Sequence, residues 1–577
     1  MSLTLAIQLG HNSTIAISND LKILGSLSQE KIDNIKNSSS FPDGAIENLC
    51  SYLDISKSDI TEILICGEQI YPPNPYDYKI INNKTVDKNF FIFISKKLLK
   101  QFKFNKIYEI LRNYRQQSLN KNGKLYLKEK LDNISLGRKK IKFINHHNCH
   151  MASAFFSNKS VNYNEKHIII TIDGAGDKES CTISIYKDGN IKKIESTPQI
   201  TSLGNFYSGV TRFLGMKPLE HEYKVMGLAP YANEKYADEI YNKIFKDIIK
   251  IDPNNSFKFI SKIDCFDTFD FLTKTCLGYR FDNIAAAAQK LLENLIMKLI
   301  SNLYNEYKIK NFCFGGGVFM NVKLNMKIQE QAFIKNAYFM PSCGDESNPM
   351  GAIYYQKKYI EKNNIEPLEN LYLGLSYNNN ELDISLKKYA KKFSYRFEEN
   401  INDYVAEKLK ENKIIARFSG RGEFGARSLG NRAILANPSK IENFNKINNF
   451  IKSRDFWMPF APTILYEYAH LYLKNFNKVN TNSDCMITAF EGLDLAKKDF
   501  VAAIHSSDNT LRPQVIKKET NKNYYNLIKK FHKLTGIPGL LNTSFNLHGY
   551  PMVSNVEQAL YAFENSDLEY LIIENYI

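Results

Sequence analysis

Two stretches of this chain are written in one grammar, and that repetition constrains the fold more than any single motif. Residues 3–9, LTLAIQL, read as a buried strand, Gly10-His11-Asn12-Ser13 as a tight turn, and TIAIS and LKILGSLSQE as two further strands. From Lys166 the pattern returns: HIIITI, the turn Asp173-Gly174-Ala175-Gly176-Asp177, then CTISIYKDGNIKKI. The same order twice predicts two similar α/β lobes with a cleft between their turns. Backbone amides in such turns can cradle phosphate, because glycine permits close approach and positive φ. The alternative is two ordinary hairpins.

Between the repeats lies IKFINHHNCHMASAFFSN, residues 141–158. Asn145 is a good helix N-cap. His146 and His150 are one turn apart on one helix face and can grip one ion; His147 lies off that face. An isolated H-x-x-x-H is more often two satisfied histidines than a metal site. Asp173 and Asp345 raise its weight, since each ends an apolar strand next to glycine at the mouth of the cleft. Two imidazoles and two carboxylates suit iron, manganese or zinc better than calcium or magnesium.

Downstream, residues 283–305 form the clearest helical pattern in the chain. The strand KNFCF then runs into Gly315-Gly316-Gly317 and VFMNVKLNMKI with Asn321, the strand–glycine–helix order that often holds a nucleotide. Glu222, Lys224 and Gly227, in a turn-rich segment from Gly204, either line the cleft or decorate a loop. The segment from about 71 to 140 is polar, basic and helical in pattern, an insertion over the first lobe. After Pro367 the pattern changes to a second unit. There SGRGEFGARSLGNRAILANPS threads Arg417, Arg421, Arg427 and Arg432 among glycines, and the guanidinium fork matches phosphate or carboxylate oxygens. Lys452, Arg454, Arg512 and the polar strand end Asn542-Thr543-Ser544 complete an anion pocket.

At 577 residues the chain holds two or more cores. The net charge of +15 spreads through Lys-rich, Asn-rich segments and reads as solvated surface rather than a nucleic-acid face. No stretch is long and apolar enough to span a membrane. Nine cysteines without C-x-x-C pairs point to reduced thiols, hence a cytoplasmic protein.

The ordered series HHNCHMASAF, DGAG, KVMGLAPY, GGGVFMN, PSCGDE, GEFGARSLGNRAIL, K-x-R, FAP and LNTSFN resembles the ATP-dependent O-carbamoyltransferases of the nodulation-factor, cephamycin and tobramycin type, over nearly the whole chain. The resemblance implies an N-terminal duplicated actin-like (sugar kinase and Hsp70-type) domain over residues 1–366. It also implies a C-terminal α/β domain over 367–577 similar to threonylcarbamoyl-AMP synthase. The C-terminal domain would join carbamoyl phosphate and ATP into carbamoyl adenylate, with Mg2+ on the nucleotide, and the N-terminal domain would pass the carbamoyl group to a hydroxyl of a sugar or natural product. By motif, His146, His150, Asp173 and Asp345 match the iron-binding set and His11 a catalytic or substrate-contacting histidine. Arg427, Lys452, Arg512, Asn542 and Ser544 match the adenylate-forming pocket. Three positions depart from the family pattern: Met458 replaces an arginine, Gly549-Tyr550-Pro551 replaces G-E-P, and His11-Asn12 replaces H-D. The alternatives are a tRNA threonylcarbamoyl-type enzyme and a weakened nucleotide-binding homologue. A hydrogenase-maturation type would carry zinc-finger C-x-x-C pairs, which this chain lacks.

Overall fold

A computed structural model describes residues 2–71, 105–389, 391–452, 454–478 and 480–577. The first lobe is a five-stranded sheet of β1 (Leu3–Gln8), β2 (Thr14–Ser18), β3 (Ile23–Ser28), β4 (Ile60–Cys66) and β5 (Lys140–Ile144), in the order β3-β2-β1-β4-β5. β1 runs antiparallel to β2 and parallel to β4. Strand alternation divides its side chains: Leu5, Ile7, Ile15 and Ile17 pack toward helix Asp43–Tyr52, while Ala6, Ala16 and Leu64 face the molecular centre.

The second lobe repeats the plan with β6 (His167–Gly176), β7 (Glu179–Lys187), β8 (Asn190–Pro198), a hairpin of β9 (Ile249–Asp252) and β10 (Asn255–Ser261), β11 (Asn311–Gly315) and β12 (Asn336–Phe339). Its main sheet runs β12-β11-β6-β7-β8, again with β6 antiparallel to β7 and parallel to β11. The matching order and strand senses make this a duplicated actin-like α/β architecture.

Each lobe hands a helix to the other. Helix His146–Phe156 leaves β5 and packs on β6 and β11; helix Asn348–Ile353 follows β12 and packs on β1 and β4. The two cross closely because Gly351 lies against the Cys149 carbonyl, where a Cβ would collide. The cleft therefore sits at the pseudo-twofold centre.

The C-terminal unit is a mixed sheet of β13 (Ile415–Phe418), β14 (Arg432–Ala436), β15 (Ala461–Leu465), β19 (Gln514–Ile516), β20 (Gly539–Ser544) and β21 (Tyr570–Ile573), in the order β19-β15-β20-β14-β13-β21. The short strands β16 (Asn480–Thr481), β17 (Phe490–Glu491) and β18 (Thr510–Leu511) lie between β15 and β19 in sequence, and β16 extends the second lobe's sheet beside β12.

One detail differs from expectation. Residues 203–213 are a helix rather than turns, because Ser202 caps it at the Asn205 N–H and its apolar residues fall on one side. The basic insertion lies partly outside the described residues; from Asn105 to Asn133 it is one helix, in line with its helical pattern. No helix among the described residues is long and apolar enough to cross a membrane, and all nine cysteines are buried and free.

Candidate functional site

Four side chains converge where the crossing helices meet the strand ends. Asn145 caps helix 146–156 by accepting from the Asn148 N–H at 3.2 Å. The helix start is held again by Asp177, whose carboxylate accepts from the backbone N–H groups of His146, Glu68 and Gln69. From that fixed turn His146 Nε2 and His150 Nε2 point at one spot, 3.1 Å apart. Asp173 Oδ2, at the end of β6, lies 3.3 Å from His146 Nε2 and 3.8 Å from His150 Nε2. Asp345 Oδ1, from the loop after β12, lies 3.5 and 3.3 Å from the same two nitrogens.

Those spacings decide what the cluster can do. Donors about 2.1 Å from a common ion are separated by about 3.0 Å in octahedral and about 3.4 Å in tetrahedral geometry, and the observed separations fall around these values. The sequence-predicted set is thus one constellation of mutually facing ligand atoms. Electrostatics point the same way. Burial pushes both imidazoles toward the neutral form, but the facing carboxylates outweigh it, taking His146 to about 10 and raising His150. Burial likewise opposes ionisation of Asp173 and Asp345, and the two histidines reverse it, holding both below the usual carboxylate range. Two carboxylates in a buried site draw in positive charge. His147 stays outside: its Nδ1 lies 2.7 Å from Thr171 Oγ1, and burial, with the neighbouring imidazoles, lowers it to about 3.

The glycine turn forms the floor. Gly317 N–H donates to Asp173 Oδ1 at 2.8 Å, and Gly315 packs under the His150 carbonyl. Gly316 has φ +91° and sits on the Ile172 carbonyl, a conformation and a space that only glycine fits. Asn321 caps helix Val322–Gln329 and pairs its amide with Gln289. His11 stands at the rim with Nδ1 3.7 Å from Asp345 Oδ2.

A second cluster adjoins it. Gly425 abuts Ser342, whose hydroxyl donates to Glu346 Oε1 at 2.5 Å, next to Asp345. Beyond lie Arg427, Arg454 and Arg512, close enough for each to shift its neighbours. Burial, with mutual repulsion, depresses Arg427 and, more strongly, Arg512; Arg427 Nε and Arg512 Nη1 are buried donors without a protein acceptor. Lys452 is 3% exposed. Among the described residues its ammonium meets only neutral acceptors, namely the Ser544 and Asn546 carbonyls, Ser544 Oγ and Asn546 Oδ1. Asn542 is buried below, donating to Thr463 Oγ1 and the Ser428 carbonyl. Among the described residues none of these four cations has a carboxylate within ion-pair distance. Lys224 differs, pairing with Asp455 at 2.9 Å.

Of the four arginines threaded through the glycine-rich loop, only Arg427 joins this pocket. Arg421 donates to the carbonyls of Leu24, Leu373 and Gly374, tying the first lobe to the chain entering the C-terminal unit. Arg417 and Arg432 donate to backbone carbonyls and Asn431 within that unit. Sequence reasoning left Asp177 and Glu346 out of the site. Asp177 sits in the glycine turn and Glu346 beside Asp345, so proximity to a ligand was the available signal.

Comparison with known proteins identifies the class. The model of the carbamoyltransferase N-terminus matches residues 4–354 and that of the carbamoyltransferase C-terminus residues 406–577. The chain belongs to the carbamoyltransferase family and is a transferase. It is 34% identical to an uncharacterized protein, MJ1051, of Methanocaldococcus jannaschii over 71% of this chain and 78% of that one. It is 28% identical to the nodulation protein NolO of Bradyrhizobium diazoefficiens over 74% of this chain and 78% of that one. Among solved structures, HypF of T. kodakarensis overlaps 63% of this chain and 48% of its own, with a TM-score of 0.34 and 11% identity; this chain thus spans about half the length of that one.

Proposed function

We propose that the chain is an O-carbamoyltransferase that works in two steps at the two clusters. In the cationic pocket carbamoyl phosphate is cleaved by water to carbamate and phosphate. A carbamate oxygen then bonds to the α-phosphorus of ATP as the α–β bridging bond breaks, releasing pyrophosphate and leaving carbamoyl adenylate. In the cleft an acceptor hydroxyl attacks the carbamoyl carbon, and AMP leaves with the bonding pair. Carbamate is a poor acyl donor until it carries such a leaving group. The observation that carries this reading is the pairing of a buried two-His, two-Asp set with an adjoining pocket of cations that lack carboxylate partners.

Arg427, Arg454, Arg512 and Lys452 would hold the phosphates, and Asn542 and Ser544 line the same pocket. His146, His150, Asp173 and Asp345 would hold one divalent ion, iron being the ion proposed, and it would supply Lewis-acid polarisation there. His11 receives the acceptor's proton on the ring nitrogen that faces away from Asp345. The acceptor is a hydroxyl of a sugar or natural product.

The test is carbamoyl-phosphate-dependent exchange of labelled pyrophosphate into ATP by the purified full chain, with metal analysis of the same sample. Exchange that proceeds without carbamoyl phosphate, or none at all, overturns the adenylate step.

A further inference from the structure

Asp177 stands in the tight turn between β6 and β7, where it and Lys178 take the left-handed conformation at φ +48° and +73°. Aspartate suits such a turn, but the turn asks nothing of its carboxylate. That group reaches instead to chain 31 and 108–109 residues away in sequence. Oδ2 accepts from the His146 N–H at 2.7 Å and Oδ1 from the Gln69 N–H at 2.8 Å, while the Glu68 N–H is shared between the two oxygens at 2.9 Å. The first N–H groups of a helix have no partner within it, and a carboxylate there also meets the positive end of the dipole. Glu68 and Gln69 follow β4 of the first lobe, and Gly67 before them donates its N–H to the Ile144 carbonyl at 2.7 Å. One turn of the second lobe thus joins the exit of β4 to the first turn of helix 146–156. It grips His146 a second time, because a Cβ on Gly176 would lie 2.1 Å from His146 Cδ2, so the ring lies directly on the turn's backbone.

We propose that Asp177 is a positioning residue of the metal set, fixing from the second lobe the helix turn that presents His146 and His150 to one divalent ion. The proposal rests on the reading above that these two histidines, Asp173 and Asp345 hold such an ion. The four donors come from three separate segments, so their convergence depends on how those segments are tied together. Asp173 and Asp177 belong to the same strand end and turn, four residues apart. The clamp therefore fixes the histidine-bearing helix to the backbone that carries a carboxylate of the same set. Without it the helix start would keep only the Asn145 cap, which acts one turn position later at Asn148. Partners outside a ligand set that hold its ligands in place are commonly worth ten- to a hundredfold in metal affinity. Because Glu68 and Gln69 belong to the first lobe, the same carboxylate makes ion affinity depend on the contact between the two lobes.

Fe2+ titrated anaerobically against a competing chelator tests it on the full chain, at a temperature well below each variant's thermal midpoint. Asp177→Ala, which removes all three acceptor contacts, should weaken the ion about tenfold to a hundredfold. Asp177→Asn keeps one acceptor oxygen but turns an NH2 toward an N–H donor, so its loss should be smaller, about threefold or more. Asparagine tolerates the left-handed turn, so a folding defect in the alanine variant leaves the asparagine variant to decide. Arg421→Ala supplies the contrast: it removes a clamp of three hydrogen bonds between the first lobe and the linker, away from the helix. It should lower the thermal midpoint and leave the ion's Kd within about twofold. A Kd within about twofold of wild type in either folded Asp177 variant overturns the assignment, and so does an equal loss in Arg421→Ala, which would mark general loosening. If the wild type binds the ion and the Asp177 variants bind it as well, only this inference falls. If the wild type binds no ion, the metal reading falls with it.

Discussion

The two clusters meet at Glu346 yet are built on opposite electrostatic plans. In the cleft every charge of the four-residue cluster has a partner, two imidazoles facing two carboxylates at 3.3–3.8 Å. In the pocket three arginines and a lysine face one another, and the nearest acceptors of Lys452 are neutral. Self-repulsion on that scale is costly in a buried site, so the pocket is poised for anions as the cleft is for a cation. Donor and acceptor chemistry are thus separated by field as well as by position, and changes confined to one cluster should leave the other's binding intact.

The largest expected effect is in the cleft. His150 is fully buried with both neighbours fixed, so His150→Ala removes a donor that nothing nearby can replace. Metal analysis should find the ion lost, and transfer to the acceptor should fall below detection. Full occupancy in that variant would dissolve the contrast between the sites. Next come Lys452→Ala and Arg427→Ala, each removing one cation. Adenylate formation should drop about tenfold to a hundredfold or more, while transfer from supplied carbamoyl adenylate persists. Loss of both half-reactions in both variants would mean that the clusters act as one site.

A smaller, graded effect concerns pH. Asp345 and Asp173 hold a proton on His146 up to about pH 10, and an incoming ion must displace it. The proton therefore competes more strongly as pH falls, so the apparent metal Kd should rise by at least about tenfold for each pH unit lowered from pH 9 to pH 6. Titration with a competing chelator across that range reads the slope. A flat profile would show that the ion displaces no proton from His146.

How much of this was legible depended on whether the signal was local. The lobes announced themselves through strand alternation and repeated glycine turns, and the metal set through an i, i+4 pair plus two strand ends. Arg421 shows where composition stops informing: an arginine among glycines suits an anion, but this one is turned onto three carbonyls by the packing of the linker against β3. Residues 203–213 concealed a helix because two glycines and scattered polar residues mask its apolar side.

The smallest predicted effect tests whether the pocket lacks a cation. The family pattern places an arginine where Met458 stands, and one phosphate contact is worth about 1.5–3 kcal/mol. Met458 is 6% exposed, with its Sδ packed against Gly227 of the second lobe's helix Glu222–Leu228. It therefore seals an interface between units and does not leave a hole in the cationic pocket. The charge is present nearby: Arg454 lies within reach of Arg427, Arg512 and Lys452, its guanidinium 5.5 Å from the Phe460 ring centre. Met458→Arg would place a guanidinium in an apolar seat beside cations already in mutual repulsion. It should cost about 1–3 kcal/mol of stability, read as a lower thermal midpoint, with no fall in KM for ATP or carbamoyl phosphate. A tenfold fall in either KM would show that Arg454 does not compensate and that the pocket's unanswered charge is still one short of what its substrates need.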